Sequence, residues 1–217
     1  MPVNKEAYQQ INEALRLSNI TLVAVSKTKP IKDILELYDL RHRDFGENYV
    51  QELVEKAEQL PKDIRWHFIG HLQTNKVKLI VPFIYLIHGV DSLKLLKEID
   101  KQSEKNKRVI DCLIQVHIAQ EETKFGFDET ELFSLELKQF LNVRIKGLMG
   151  MASLTEDMHK IRVEFKFLKT LFEKLKIQNP ELAILSMGMS SDYKIAIEEG
   201  SNMVRIGSLL FGERNQK

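Results

Sequence analysis

Val109-Ile110-Asp111-Cys112-Leu113-Ile114-Gln115-Val116 is apolar at both odd and even positions. A strand with one face in water alternates apolar with polar residues. One that is apolar on both sides is covered on both, as in a parallel sheet with helices packed over it. The spacing predicts a strand over 109–118. Working outward in both directions, further short apolar runs predict strands over 21–27, 43–46, 65–70, 85–90, 145–151, 183–189 and 203–207.

Helical patterns separate these runs. Ile31, Ile34, Leu35 and Tyr38 fall at i, i+3, i+4 and i+7, and Tyr49, Val50, Leu53, Val54 and Ala57 repeat the pattern behind Asn48, a residue suited to an N-cap. Asp128-Glu129-Thr130-Glu131 has capping-box spacing ahead of Leu132, Leu135 and Phe140. Met158, Ile161, Phe165, Leu168, Phe172 and Leu175 form the longest stripe, which must end before Pro180. Gly200 ends a helix beginning near Ser191. An introductory helix over 4–18 places Ile11, Ala14, Leu15 and Leu17 on or near one face. Eight β-then-α units predict an α/β chain with a single closed (β/α)8 TIM barrel over 1–217 and an extra N-terminal helix. An open doubly wound sheet is the alternative, because periodicity does not report closure.

Composition narrows the function. Thirty-two Lys and Arg against 31 Asp and Glu leave a net charge of +1, which provides no electrostatic footprint for nucleic acid or an anionic membrane. No apolar run approaches the roughly 20 residues needed to span a bilayer, and the N-terminus lacks the apolar core of a signal peptide. With Cys112 as the only cysteine there is no intrachain disulfide, and the cytoplasm is the expected compartment.

In a barrel, functional groups gather at the C-terminal strand ends. The first strand leads into Ser26-Lys27-Thr28-Lys29-Pro30, and alternation places Val23, Val25 and Lys27 on one face, toward the interior. Lys27 is either a solvated strand-end lysine or an amine whose partly desolvated setting allows imine formation with a carbonyl. Lys29, by parity, falls beyond the strand. Ser186-Met187-Gly188-Met189-Ser190 and Gly207-Ser208 are small-residue turns after the seventh and eighth strands, where barrels recurrently hold phosphate. Arg205, among apolar strand neighbours, needs a partner: an acid such as Glu47, or a ring nitrogen of a bound cofactor. A nitrogen beside a guanidinium stays unprotonated, which makes the cofactor a weaker electron sink.

Other constellations carry less. His67 and His71 are four apart on a strand and its loop, so they serve hydrogen bonding and not a metal. Cys112 and His117, five apart on one strand, face opposite sides. Met149, Met151, Met187 and Met189 read as core or pocket packing. Tyr193 belongs either at the mouth or on the surface, and 97–108 reads as a solvated helix face and loop.

The runs 22–30 (LVAVSKTKP), 45–51 (FGENYVQ), 66–76 (WHFIGHLQTNK), 147–151 (GLMGM), 185–190 (LSMGMS) and 203–207 (MVRIG) resemble, in this order, the pyridoxal phosphate homeostasis protein family. The resemblance spans nearly the whole chain. It implies a fold-type III barrel like the N-terminal domain of alanine racemase, holding pyridoxal 5′-phosphate (PLP) as a Schiff base on Lys27. It also implies Arg205 near the pyridine nitrogen, Asn48 on the cofactor face, and phosphate among Ser186, Gly188, Gly207 and Ser208. Lys124 matches a family lysine that helps exchange cofactor, although Phe125 stands where small or polar residues are common. The short stretch after the eighth strand leaves no second domain to supply the further base that alanine racemase uses. The implied function is therefore a monomeric carrier and buffer of PLP in vitamin B6 and amino-acid homeostasis, with PLP-dependent apo-enzymes as recipients. A PLP-dependent enzyme such as an amino-acid racemase is the alternative. A cofactor-free Schiff-base lyase, colourless as purified, is a third.

Overall fold

A computed structural model describes residues 3–119 and 125–212. Eight parallel strands close into a barrel in chain order: β1 Thr21–Val25, β2 Asp44–Glu47, β3 Arg65–Phe68, β4 Leu86–Val90, β5 Ile110–Gln115, β6 Val143–Met149, β7 Ile184–Ser186 and β8 Met203–Ile206. β8 pairs back on β1 through Thr21 opposite Met203 and Ala24 opposite Ile206, which rules out the open sheet. The helices are α1 Lys5–Leu17, α2 Ile31–Asp39, α3 Val50–Gln59, α4 Val77–Ile80, α5 Leu93–Lys105, α6 Glu129–Ser134, α7 Met158–Gln178, α8 Tyr193–Glu198 and α9 Ser208–Phe211. None is long and apolar enough to cross a membrane among the described residues.

Two buried layers sit on either side of the sheet. Outward-facing Leu22, Ala24, Phe45, Cys112, Ile114, Val204 and Ile206 pack under helix residues including Ile34, Leu53, Ile99, Phe165 and Leu168. α7 contributes most to this layer, burying Ile161, Phe165, Leu168, Leu171, Phe172 and Leu175, each worth about 1.5–3 kcal/mol of transfer free energy. Inside the barrel Val23, Leu86, Leu113, Met149 and Met203 form a separate small apolar cluster. The interior also buries Asp44, His67, His88, Ser186 and Arg205.

Several local expectations shift. β1, β5 and β7 end before the predicted limits, since apolar alternation reports burial while a strand also needs a bonded neighbour; the chain stays buried as it turns at the mouth. Asn4 caps α1, its side chain accepting from the Ala7 N–H, and the helix buries Tyr8 and Leu15; Ala14 and Leu17 face solvent. The capping box of α6 forms, but the helix stops at Ser134, with a 3-10 turn following. α8 begins at Tyr193, two residues after Ser191, and Gly200 follows its C-cap at φ +94°. The N-cap of α3 is Tyr49, which leaves Asn48 outside the helix.

Candidate functional site

A cavity of about 410 Å³ opens at the C-terminal end of the barrel, within the size range of small-molecule sites. Val25, Lys27, Asn48, Ile69, Met151 and Arg205 line it from the strand ends, with Met189, Ser190, Ser191, Gly207 and Ser208 closing one side. Each wall residue lies at or just past the end of a strand, because parallel pairing brings all the strand ends to one face.

The segment carrying Lys27 is held on both flanks. The Ser26 hydroxyl donates to Glu47 Oε1 at 2.6 Å, and the Ser26 carbonyl accepts from Lys56 Nζ at 2.8 Å. On the other flank Thr28, at φ +63°, donates its backbone N–H to Glu52 Oε1 at 2.6 Å. Lys56 bridges both carboxylates, 2.7 Å from each. Burial pushes the Glu47 carboxyl above its usual range, against the pull of Lys56 and Ser26. Next to Glu47, the Asn48 Oδ1 atom is buried with no hydrogen-bond partner, an arrangement that costs on the order of 1–3 kcal/mol unless something fills the place.

Arg205 reaches the cavity from β8 and is buried. Its Nη1 donates to Ser186 Oγ at 2.7 Å and its Nη2 to the Gly150 carbonyl at 3.1 Å. Glu47 is engaged by Lys56, so the expected acid partner for Arg205 is replaced by neutral acceptors. Burial with little countercharge brings its pKa down to about 10, still a cation at neutral pH.

Of the seven expected site residues, Lys27, Asn48, Arg205, Gly207 and Ser208 line the cavity. Ser186 does not: it lies inside the barrel, bonded to Arg205 and to His88 Nδ1 at 3.2 Å. Gly188, at φ +96°, is packed under Ala196 and Tyr193, where a Cβ would stand 2.6 Å from the Ala196 Cβ. Four residues on from Ser186, Ser190 occupies the wall and accepts from the Gly207 N–H at 3.2 Å. Lys124 lies outside the described residues; Phe125 stacks on His71 with centroids 4.1 Å apart. His71 also bonds Asp91, and no group of three or more metal-ligating side chains occurs among the described residues. Lys29 lines the cavity while its Nζ donates to the carbonyls of Phe211 and Gly212. Sequence reasoning missed Lys56 and Glu52, which look like an ordinary i, i+4 surface pair, and His88. A histidine inside the apolar run Leu86-Ile87-His88-Gly89-Val90 carried the same signal as Arg205.

A family profile described as "Alanine racemase, N-terminal domain" matches residues 5–215. Among curated proteins, the "Pyridoxal phosphate homeostasis protein" of Aquifex aeolicus strain VF5 is 44% identical over 200 residues, covering 89% of this chain and 86% of that one. This chain belongs to the pyridoxal phosphate homeostasis protein family. The human protein of that name is 39% identical over 210 residues, covering 89% of this chain and 76% of its own. PipY of Synechococcus elongatus PCC7942, solved with PLP bound, superposes with a TM-score of 0.87 at 35% identity, covering 95% of this chain and 99% of that one. Alanine racemase of Clostridium difficile 630, at 13% identity and a TM-score of 0.77, shares the barrel fold alone. All six motifs that resemble the pyridoxal phosphate homeostasis protein family contribute at least one residue to the cavity wall.

Proposed function

We propose that this chain binds PLP in the mouth cavity, with Lys27 as the covalent anchor, and carries and buffers that cofactor in vitamin B6 and amino-acid homeostasis. One observation carries the reading: a lysine, a buried arginine and Asn48 line a single cavity at the strand ends. The residues present fit the group. Lys27 would be the amine for its aldehyde, Arg205 would stand by the ring nitrogen, and Asn48 would line the ring's side of the cavity. Ser190, Ser191 and Ser208 offer hydroxyls to the phosphate, with Gly207 allowing close approach; Ser186 and Gly188 support that wall from behind. When bound, PLP supplies an electrophilic aldehyde and a pyridine ring. The chain's part is to orient that aldehyde on a clamped lysine and to keep the ring nitrogen unprotonated beside Arg205. A reversible bond at an open mouth suits delivery to PLP-dependent apo-enzymes, by a single-domain monomer in the cytoplasm.

Borohydride reduction of PLP-loaded protein followed by peptide mass spectrometry tests this. A pyridoxyl adduct on Lys27, lost in Lys27→Ala, is expected. No adduct, or an undiminished one in Lys27→Ala, overturns the assignment.

A further inference from the structure

A second cavity opens at the opposite, N-terminal face of the barrel, walled by Asp44, Arg65, His67, Asp111 and Lys146 among others. Between the two cavities runs an unbroken buried chain of polar atoms. Asp44 Oδ1 lies 3.0 Å from His67 Nε2; His67 Nδ1 lies 2.9 Å from His88 Nε2; His88 Nδ1 lies 3.2 Å from Ser186 Oγ; and Ser186 Oγ accepts from Arg205 Nη1. His67, His88 and Ser186 are fully buried.

The chemistry of the two ends, with the requirement that every buried polar hydrogen has an acceptor, sets the direction of the bonds between them. Arginine only donates. Ser186 Oγ therefore accepts from Arg205, and among the described contacts His88 Nδ1 is the acceptor in reach of its single proton. His88 must then carry its proton on Nε2 and donate to His67 Nδ1. His67 in turn carries its proton on Nε2 and donates to Asp44, an anion held by Arg65 at 2.7 Å. Two neutral histidines in the same tautomer satisfy all of these donors and acceptors. A doubly protonated His67 would reverse His88 and leave the Ser186 proton without an acceptor. Burial, which drives the His88 imidazole well below the ordinary histidine range, agrees with the neutral assignment.

We propose that Ser186, His88, His67 and Asp44 are positioning residues forming a one-way relay that fixes the Arg205 guanidinium in the mouth cavity from an anchor on the far face of the barrel. The role toward cofactor rests on PLP binding beside Arg205; the relay itself does not. Nitrogen NMR of labelled, ligand-free protein at neutral pH reads the relay directly, and both His67 and His88 are expected as the Nε2–H tautomer. An Nδ1–H or doubly protonated ring at either position overturns the proposal. In PLP titrations, Ser186→Ala is expected to weaken binding about tenfold, the loss of one charge-assisted bond, and to shift the bound-cofactor absorbance. Asp44→Asn, on the other face of the barrel, is expected to shift that absorbance too while the protein stays folded by circular dichroism. Unchanged affinity and spectrum in both folded variants overturn the positioning role. Failure of wild-type protein to bind PLP would instead overturn the cofactor reading and leave the tautomers as the test.

Discussion

Lys56 Nζ lies 2.7 Å from Glu47 Oε1, with the Glu47 side chain fully buried and that of Lys56 only 7% exposed. This pair, with Glu52, holds both neighbours of Lys27. Removing one partner of a buried pair strands the other charge, so Lys56→Met is expected to cost about 3–5 kcal/mol in urea denaturation. Adding Glu47→Gln should recover a large part of that loss, because the stranded charge is gone. An additive double variant would mean that the two residues do not act as a pair.

Asn48 predicts the opposite balance of stability and binding. Its orphaned Oδ1 stabilises nothing in the ligand-free protein, so Asn48→Ala should leave the melting temperature unchanged or slightly higher. PLP affinity should fall by roughly three- to tenfold, the value of one hydrogen bond. Calorimetric melting and a PLP titration on the same preparation check both halves.

His42 makes stability depend on pH. Its ring is edge-on to Tyr8 and Phe45, its Nε2 lies 2.8 Å from the Asp44 carbonyl, and burial lowers its pKa from 6.5 to about 4. The folded state thus binds this proton less readily than the unfolded chain. Its contribution is complete above pH 6.5 and is lost as the pH falls toward 4. The loss is on the order of 3 kcal/mol, and His88 acts in the same direction. Denaturant midpoints at pH 7.5 and 4.5 should separate by less in His42→Gln than in wild type.

Gly147 tests the barrel wall. The β5–β6 register shifts where Cys112 faces Ile145 and Leu113 faces Gly147, skipping Lys146. Gly147 sits at φ +157°, and a Cβ there would stand 1.7 Å from the Ile184 carbonyl oxygen. Gly147→Ala must push β6 away from β7 and is expected to cost about 3 kcal/mol or more, measured by thermal or urea unfolding.

The number, order and type of elements were legible because the signals are local: doubly apolar runs for strands, i, i+3, i+4 stripes for helices, and the Asp128–Glu131 box. Lys27 could be placed on the interior face from alternation, and Arg205 stood out as a charge among apolar strand neighbours. Ser186 was grouped with the phosphate turn because it belongs to the same small-residue run as Ser190, yet it lies inside the barrel, since parity does not say where a strand stops being interior and becomes mouth. Asn48 read as a helix cap for a similar reason: its residue type suits a cap and a ligand contact equally.

Amino-acid order alone determined a βα repeat of the right count and a lysine at the first strand end, since both arise from residues within a few positions of one another. Closure was decided only in three dimensions, when β8 paired with β1. With closure came the contact that spans the interior, His88 on β4 against Ser186 on β7, which completes the path from Asp44 to Arg205. His88 and Ser186 come from strands that are not neighbours in the sheet. Only the curvature of a closed barrel brings their side chains within hydrogen-bonding distance, and no periodicity along the chain encodes that.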